Sequence, residues 1–199
     1  MIEWVKMAFP NDGQSFAPRR AAVLIPITAG ESPAALLVRR AGHMRRHAGQ
    51  VGCPGGIVEE ADADLIATAL RETEEEIGIS RHAVHVVRRL NDVYTLNSNF
   101  LIAPFVGVVR TPFQLSIDRS EIEEVYEIPL SCILADGAVH YGEEPVGGLR
   151  VATWLFDYGS VHVWGATGRI LHEMVRVFAE PAARAELYRS IADGPVGVA

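Results

Sequence analysis

The stretch RETEEEIGI, Arg71 to Ile79, places four glutamates within five positions behind a single arginine. A helix turns about 100° per residue, which puts Glu72 and Glu76 one turn apart on the same row. Like charges at that spacing repel and destabilise an isolated helix. Two chemistries answer the crowding: a fully solvated acidic face, or a bound cation. A pair of carboxylates at i and i+4 can share one divalent ion, and a donor set made only of oxygen suits Mg²⁺ or Mn²⁺ better than zinc. Glu75 falls in the same arc and would complete or bridge such a site, whereas Glu74 points to the opposite flank. Arg71, four residues before Glu75, is spaced to fix that carboxylate by charge-assisted hydrogen bonds.

A second group of reactive residues lies upstream, in LLVRRAGHMRRHAGQVGCPGG, Leu36 to Gly56. Arg40 and Arg45 flank a turn beside a loop containing Gly49, Gly55 and Gly56, where exposed backbone N–H groups and guanidinium groups could meet phosphate. The alternative is a basic surface loop, with His43 and His47 exposed and without a role. Glu121, Glu123 and Glu124 form another acidic cluster further along.

RRAAVLIPIT (19–28) and AALLVRR (34–40) read as two strands joined by the turn-rich AGESP. A helix is expected over 63–77, with Ile66, Leu70, Thr73 and Ile77 as its core stripe and Gly78 as its stop. AVHVVRRL and FLIAPFVGVV read as strands with TLNSN between them, and EIEEVYEIPL as a loop leading into a short strand. RVATWLFDY and SVHVWG suit a hairpin around Gly159. TGRILHEMVRVF carries Ile170, Leu171, Met174, Val175 and Phe178 on one helical face, and AARAELYRSIA reads as a last helix. Trp154 and Trp164 are expected in the core. Strands interrupted by one helix, with further helices at the end, indicate a mixed α/β domain.

At 199 residues the chain suits one domain over 1–199, with 1–18 as an N-terminal extension and 180–199 as a C-terminal helix and tail. A net charge of -7 argues against a general nucleic-acid binder. The longest apolar run, AAVLIPI, is too short to span a membrane, and no secretory signal is evident. Cys53 and Cys132 are too few for a disulfide framework or a zinc site; small buried thiols in a reducing cytoplasm are expected.

The segment GGIVEEADADLIATALRETEEEIGI resembles the box that defines the Nudix hydrolases. Arg71, Glu72, Glu75, Glu76, Gly78 and Ile79 match its ending position by position. Thr73 stands where an aliphatic residue or alanine is usual. The spacing from Gly56 to Arg71 is one residue longer than the general pattern, with Asp62 nearest the early acidic position. The upstream stretch is similar to the signature of the coenzyme A pyrophosphatase branch of that family. Leu36, Leu37, Arg40, Ala41, Arg45, Gly49, Pro54, Gly55 and Gly56 match in register, while Val38 replaces a threonine and Cys53 a phenylalanine.

The resemblance implies an α/β/α sandwich with a mixed central sheet, Mg²⁺ or Mn²⁺ on Glu72, Glu76 and Glu75, and a general base or extra ligand from Glu121 or Glu124. It implies phosphate contacts from Arg40, Arg45 and the glycine loop, and a homodimer as the assembly. The reaction implied is hydrolysis of the pyrophosphate of coenzyme A or its derivatives to 4'-phosphopantetheine and adenosine 3',5'-bisphosphate. Two other readings stay open. One is a hydrolase of ADP-ribose or another nucleoside diphosphate derivative, and the other is a non-catalytic module that senses a nucleotide. The intact Arg71, Glu72, Glu75 and Glu76 favour an enzyme, since a pure binder has no use for so crowded a site.

Overall fold

A computed structural model describes residues 17–44, 47–95 and 98–193. Strand β1 (Arg19–Thr28) is buried along nearly its whole length from Ala21, the pattern of a central strand covered on both faces. It runs parallel to β7 (Phe100–Val109) over ten paired positions, Ile25 opposite Val106. On its other side β1 pairs antiparallel with β2 (Ala34–Arg40). The Thr28 hydroxyl accepts the Ala34 N–H at 2.9 Å and closes the expected turn.

Short strands β3 (Val51–Gly52) and β4 (Gly55–Ile57) pair with β2 and β1. Strands β5 (Val84–Arg89) and β6 (Val93–Thr95) both pair antiparallel with β7. Among the described residues this makes one mixed, eight-stranded sheet. Its eighth member, β8 (Ile122–Pro129), lies antiparallel to β2 along all seven residues of β2. The loop-then-short-strand expectation for EIEEVYEIPL is therefore corrected. A register shift opposite Arg39 and Arg40 leaves Glu123 unpaired, and a bulge of this kind breaks the alternation by which a strand is recognised. After a single helical turn, α2 (Leu130–Ile133), strands β9 (Val139–Val146), β10 (Leu149–Tyr158) and β11 (Val161–Val163) form a second antiparallel sheet. The hairpin around Gly159 is as expected; β9 had no recognisable pattern.

Helix α1 (Leu65–Ile77) starts at Asp64, whose side chain accepts the Ala67 N–H at 2.8 Å, and stops at Gly78 in the left-handed region. It lies on the β1–β7 face, where Ala69 packs against Ala22, Leu24, Ala103 and Phe105, with Leu65 and Leu70 alongside. The expected stripe is rotated. Ala69, Thr73, Glu76 and Ile77 are buried while Ile66 is 37% exposed, because the inward arc includes a glutamate that an apolar pattern does not count. The Thr73 hydroxyl donates to the Ala69 carbonyl at 2.7 Å, so this buried threonine is satisfied.

The opposite sheet face carries the largest core. Ile25, Ile27, Leu37, Val106 and Val108 meet Phe156 and Val163 from the second sheet. Helix α3 (Gly165–Ala179) adds Ile170, Leu171, Met174 and Phe178, and α4 (Pro181–Asp193) adds Leu187 and Ile191. Val175 is only half-buried. Trp154 and Trp164 are half-buried rather than interior, and Trp154 stacks on His172 with ring centroids 3.5 Å apart. Both cysteines are free and partly exposed as residues, but the Cys53 side chain packs against the main core and burial raises its thiol, as expected of a buried thiol. Among the described residues no helix is long and apolar enough to cross a membrane.

Candidate active site

Strand β4 is the platform on which α1 sets its charged residues. Gly55 has φ +148, and a Cβ there would lie 2.4 Å from the Ala22 carbonyl oxygen, so only glycine lets β4 come this close to β1. Its N–H donates to Glu76 Oε2 at 3.0 Å. At Gly56 a Cβ would lie 2.3 Å from the Glu72 carboxylate. The missing side chain is the space Glu72 occupies. The carbonyl of Ile57 accepts from Arg71 Nη2 at 3.2 Å.

Arg71 makes five hydrogen bonds. Nε and Nη2 take the two oxygens of Asp62 at 2.9 and 3.1 Å, a bidentate fork. Nη1 donates at 3.0 Å to both Glu72 and Glu75. The expected i,i+4 contact to Glu75 is therefore one of several. Asp62 also accepts from the Thr68 hydroxyl and the Glu59 N–H. The Arg71 guanidinium beside it holds its carboxyl well below the usual carboxylate range. Asp62 was legible only as the nearest match to a family position; as Arg71's main partner it is a finding of the structure. Glu74 faces away, paired with Arg81 at 2.7 Å.

The helix end is tied to the loop before β8. The Ser116 N–H donates to the Ile77 carbonyl and the Asp118 N–H to the Glu76 carbonyl, both at 3.0 Å, which satisfies carbonyls a helix end leaves without partners. Asp118 O in turn accepts from the Glu121 and Ile122 N–H groups, and the Glu121 carbonyl accepts from Ala41 at 2.7 Å. Glu121 is thereby delivered to the acidic helix. Arg40 bridges the two elements: Nη1 is 3.4 Å from Glu76 Oε1 and Nη2 is 3.5 Å from Glu121 Oε2. Glu124 is not brought in; it pairs loosely with Arg39 and accepts from the Tyr126 hydroxyl. His43 contacts the Ser120 carbonyl and His47 contacts Gln50. Gly49, at φ +69, donates its N–H to the Arg40 carbonyl at 3.0 Å and so shapes the turn that presents Arg40. Arg45 lies outside the described residues.

Five carboxylates, of Asp62, Glu72, Glu75, Glu76 and Glu121, thus face two guanidinium groups. Glu76 is 4% exposed, and burial pushes its carboxyl up to about 8, with Glu72 and Glu121 adding to the rise. Burial also raises Glu72, against the pull of Arg71. At both groups burial outweighs the neighbouring arginine, so keeping either carboxylate charged is costly in this site. The donor chemistry fits a hard divalent cation. Among the described residues no three His, Cys, Asp or Glu side chains stand at ligating separation, because Glu72 and Glu75 rest on Arg71 and Glu76 on Gly55 and Arg40. A cation shared by these carboxylates would require them to leave those partners.

A box glutamate helix on a glycine strand, set in a mixed sheet between helical layers, defines a Nudix hydrolase, and the chain belongs to that family: the NUDIX domain model matches residues 18–145. Among its relatives is the protein named "Uncharacterized Nudix hydrolase NudL" of Salmonella paratyphi B, 40% identical over 156 residues, covering 78% of this chain and 81% of that one; the Salmonella newport protein of the same name matches equally. A MutT/nudix family protein from Enterococcus faecalis shares the fold with a TM-score of 0.57 at 17% identity, over 93% of this chain and 72% of the other. A NUDIX hydrolase from Alicyclobacillus acidocaldarius gives 0.51 at 24% identity, over 59% and 81%. The chain is accordingly a pyrophosphohydrolase of the divalent-metal-dependent Nudix class.

Proposed function

We propose that this enzyme hydrolyses the pyrophosphate bond of coenzyme A and its derivatives, giving 4'-phosphopantetheine, or its acylated form, and adenosine 3',5'-bisphosphate. The observation that carries the reading is the position of Arg40. This arginine belongs to the coenzyme A branch signature, and its guanidinium reaches Glu76 and Glu121. A signature residue that could have been a distant surface charge stands at the acidic cluster, within reach of a phosphate bound there.

Glu72 and Glu76, with Glu75 at the rim, would hold Mg²⁺ or Mn²⁺, which supplies charge neutralisation of the diphosphate and a more acidic attacking water. Arg71 orients Glu72 and Glu75 while its own charge is taken up by Asp62. Glu121 accepts the proton of the water as its oxygen bonds to phosphorus and the bridging P–O bond breaks. Arg40, Arg45 and the backbone around Gly49, Gly55 and Gly56 bind the phosphates. Arginine can grip two phosphate oxygens at once, so Arg40→Lys should not restore full binding. A cytoplasmic setting and a single domain spanning the chain complete the reading.

The test is kcat/KM for coenzyme A against ADP-ribose and diadenosine polyphosphates under one metal condition. Coenzyme A should lead. A tenfold advantage for ADP-ribose would leave the Nudix class intact and remove the coenzyme A assignment. No turnover of any diphosphate with either metal would favour the sensing module.

A further inference from the structure

The two arginines of the site are held in contrasting ways. Arg71 closes five hydrogen bonds of 2.9 to 3.2 Å and is 14% exposed. Arg40 is 27% exposed and makes one contact to each of two carboxylates, at 3.4 and 3.5 Å. Charge-assisted N–H···O pairs at full strength are about 2.7–2.9 Å long, so the Arg40 guanidinium is placed by charge without being locked. Its backbone, by contrast, is fixed. The Arg40 N–H donates to Gln50 O, its carbonyl accepts from Gly49, and it pairs with Ile122 across from the β8 bulge at Glu123.

A guanidinium on Glu76 Oε1 takes up an oxygen that a cation held by Glu72 and Glu76 would use, and its second contact is to Glu121. Two positive groups that share a carboxylate oxygen compete for it, and the more loosely held one gives way. We propose that Arg40 is a displaceable internal cation: it occupies the space between Glu76 and Glu121 before metal loading, and metal binding at Glu72 and Glu76 releases it toward the substrate phosphates. Metal binding and the readiness of Arg40 for substrate are then one event. Arg71 has no such freedom, because leaving would strip Asp62, which is 4% exposed, of its partner.

The inference rests on the reading of Glu72 and Glu76 as a cation site, and Mn²⁺ binding itself, followed by electron paramagnetic resonance, separates the two. Arg40→Met removes the charge at similar volume. Competition predicts that this variant binds Mn²⁺ roughly tenfold more tightly than wild type and gains more melting temperature on adding Mn²⁺. Inorganic pyrophosphate, titrated in saturating Mn²⁺, should bind the variant roughly tenfold more weakly, since the expelled guanidinium is its partner. Arg39→Met, which removes a neighbouring charge paired with Glu124, should leave Mn²⁺ affinity unchanged. Arg40→Gln makes the same predictions should methionine disturb folding. Equal or weaker Mn²⁺ binding in Arg40→Met overturns the displaceable role of Arg40 while the cation site stands. Absence of Mn²⁺ binding in every variant and in wild type overturns both.

Discussion

Gly56 and Glu72 occupy the same space: a Cβ on the first would lie 2.3 Å from the carboxylate of the second. The obstacle is the far end of a flexible side chain, so Gly56→Ala should fold with a melting temperature close to wild type. Glu72 would swing out, and turnover should fall by tenfold or more. Gly55→Ala meets backbone instead, at φ +148 and 2.4 Å from Ala22 O, and should cost at least about 1–3 kcal/mol of stability. Thermal melts beside turnover on both variants check this. Similar losses of stability in the two would contradict it.

Arg71 and Asp62 form a largely buried pair, 14% and 4% exposed. Removing one partner leaves an uncompensated buried charge, so Arg71→Met should destabilise the fold by about 3–5 kcal/mol. Asp62→Asn in the same chain should recover part of that, which a double-mutant cycle in urea would measure. The Asp62 carboxyl is held below its ordinary value of 3.8. Its contribution is therefore present above that pH and lost as pH falls below it. The stability gap between wild type and Asp62→Asn should hold from pH 7 to pH 5 and narrow progressively as pH falls below 3.8.

For Glu76 the sign is opposite. Its folded carboxyl is raised from an ordinary 4.5 to about 8, so ionising it opposes folding, and stability falls as pH rises between those values. In chelator, wild type should lose ground to Glu76→Gln from pH 5 to pH 8, by an amount on the order of a few kcal/mol. Adding Mn²⁺ at pH 8 should reverse the ranking, and Glu76→Gln should be nearly inactive. Parallel melting curves across this range in chelator would argue against a buried carboxylate whose charge is costly.

Cys53 packs against the main core, and burial pushes its thiol up to about 12. The thiolate is the reactive form, so a disulfide reagent at pH 8 should leave Cys53 unlabelled in the folded Cys132→Ala protein and modify it in denaturant. Rapid labelling of the native variant would place the thiol elsewhere.

Much of the site was readable along the chain because its parts are periodic or local. Glu72, Glu75 and Glu76 follow from helical spacing, and the Arg71–Glu75 contact from i,i+4 geometry. What sequence could not give is phase and distance. Ile66 proved exposed because α1 turns Glu76 inward to meet the Gly55 N–H, a partner 21 residues upstream in the chain. The meeting of Arg40 with Glu76 depends on β2, β8 and α1 converging, and no spacing encodes it. β8 was under-read at its bulge. β9 was missed because GEEP alternates no apolar face and is held by its pairing with β10. Glu121 and Glu124 are equivalent by composition; the hydrogen bonds of Asp118 and Ala41 select the first.

The backbone ties from Ser116 and Asp118 to Ile77 and Glu76 have a consequence for anyone wishing to move this chemistry to another scaffold. The recognisable motif, Gly55 to Ile79, is not a portable cassette. Cut out alone, α1 would lose the partners of its last carbonyls, and Gly78 would lose the Ser116 backbone and side chain packed against it. The smallest transferable unit is discontinuous: the motif, the segment from Ser116 to Ile122, and the end of β2 that carries Arg40. Insertions between Val109 and Ser116 should be absorbed more readily than a single residue added between Ser116 and Glu121, because the latter shifts the register between helix end and loop.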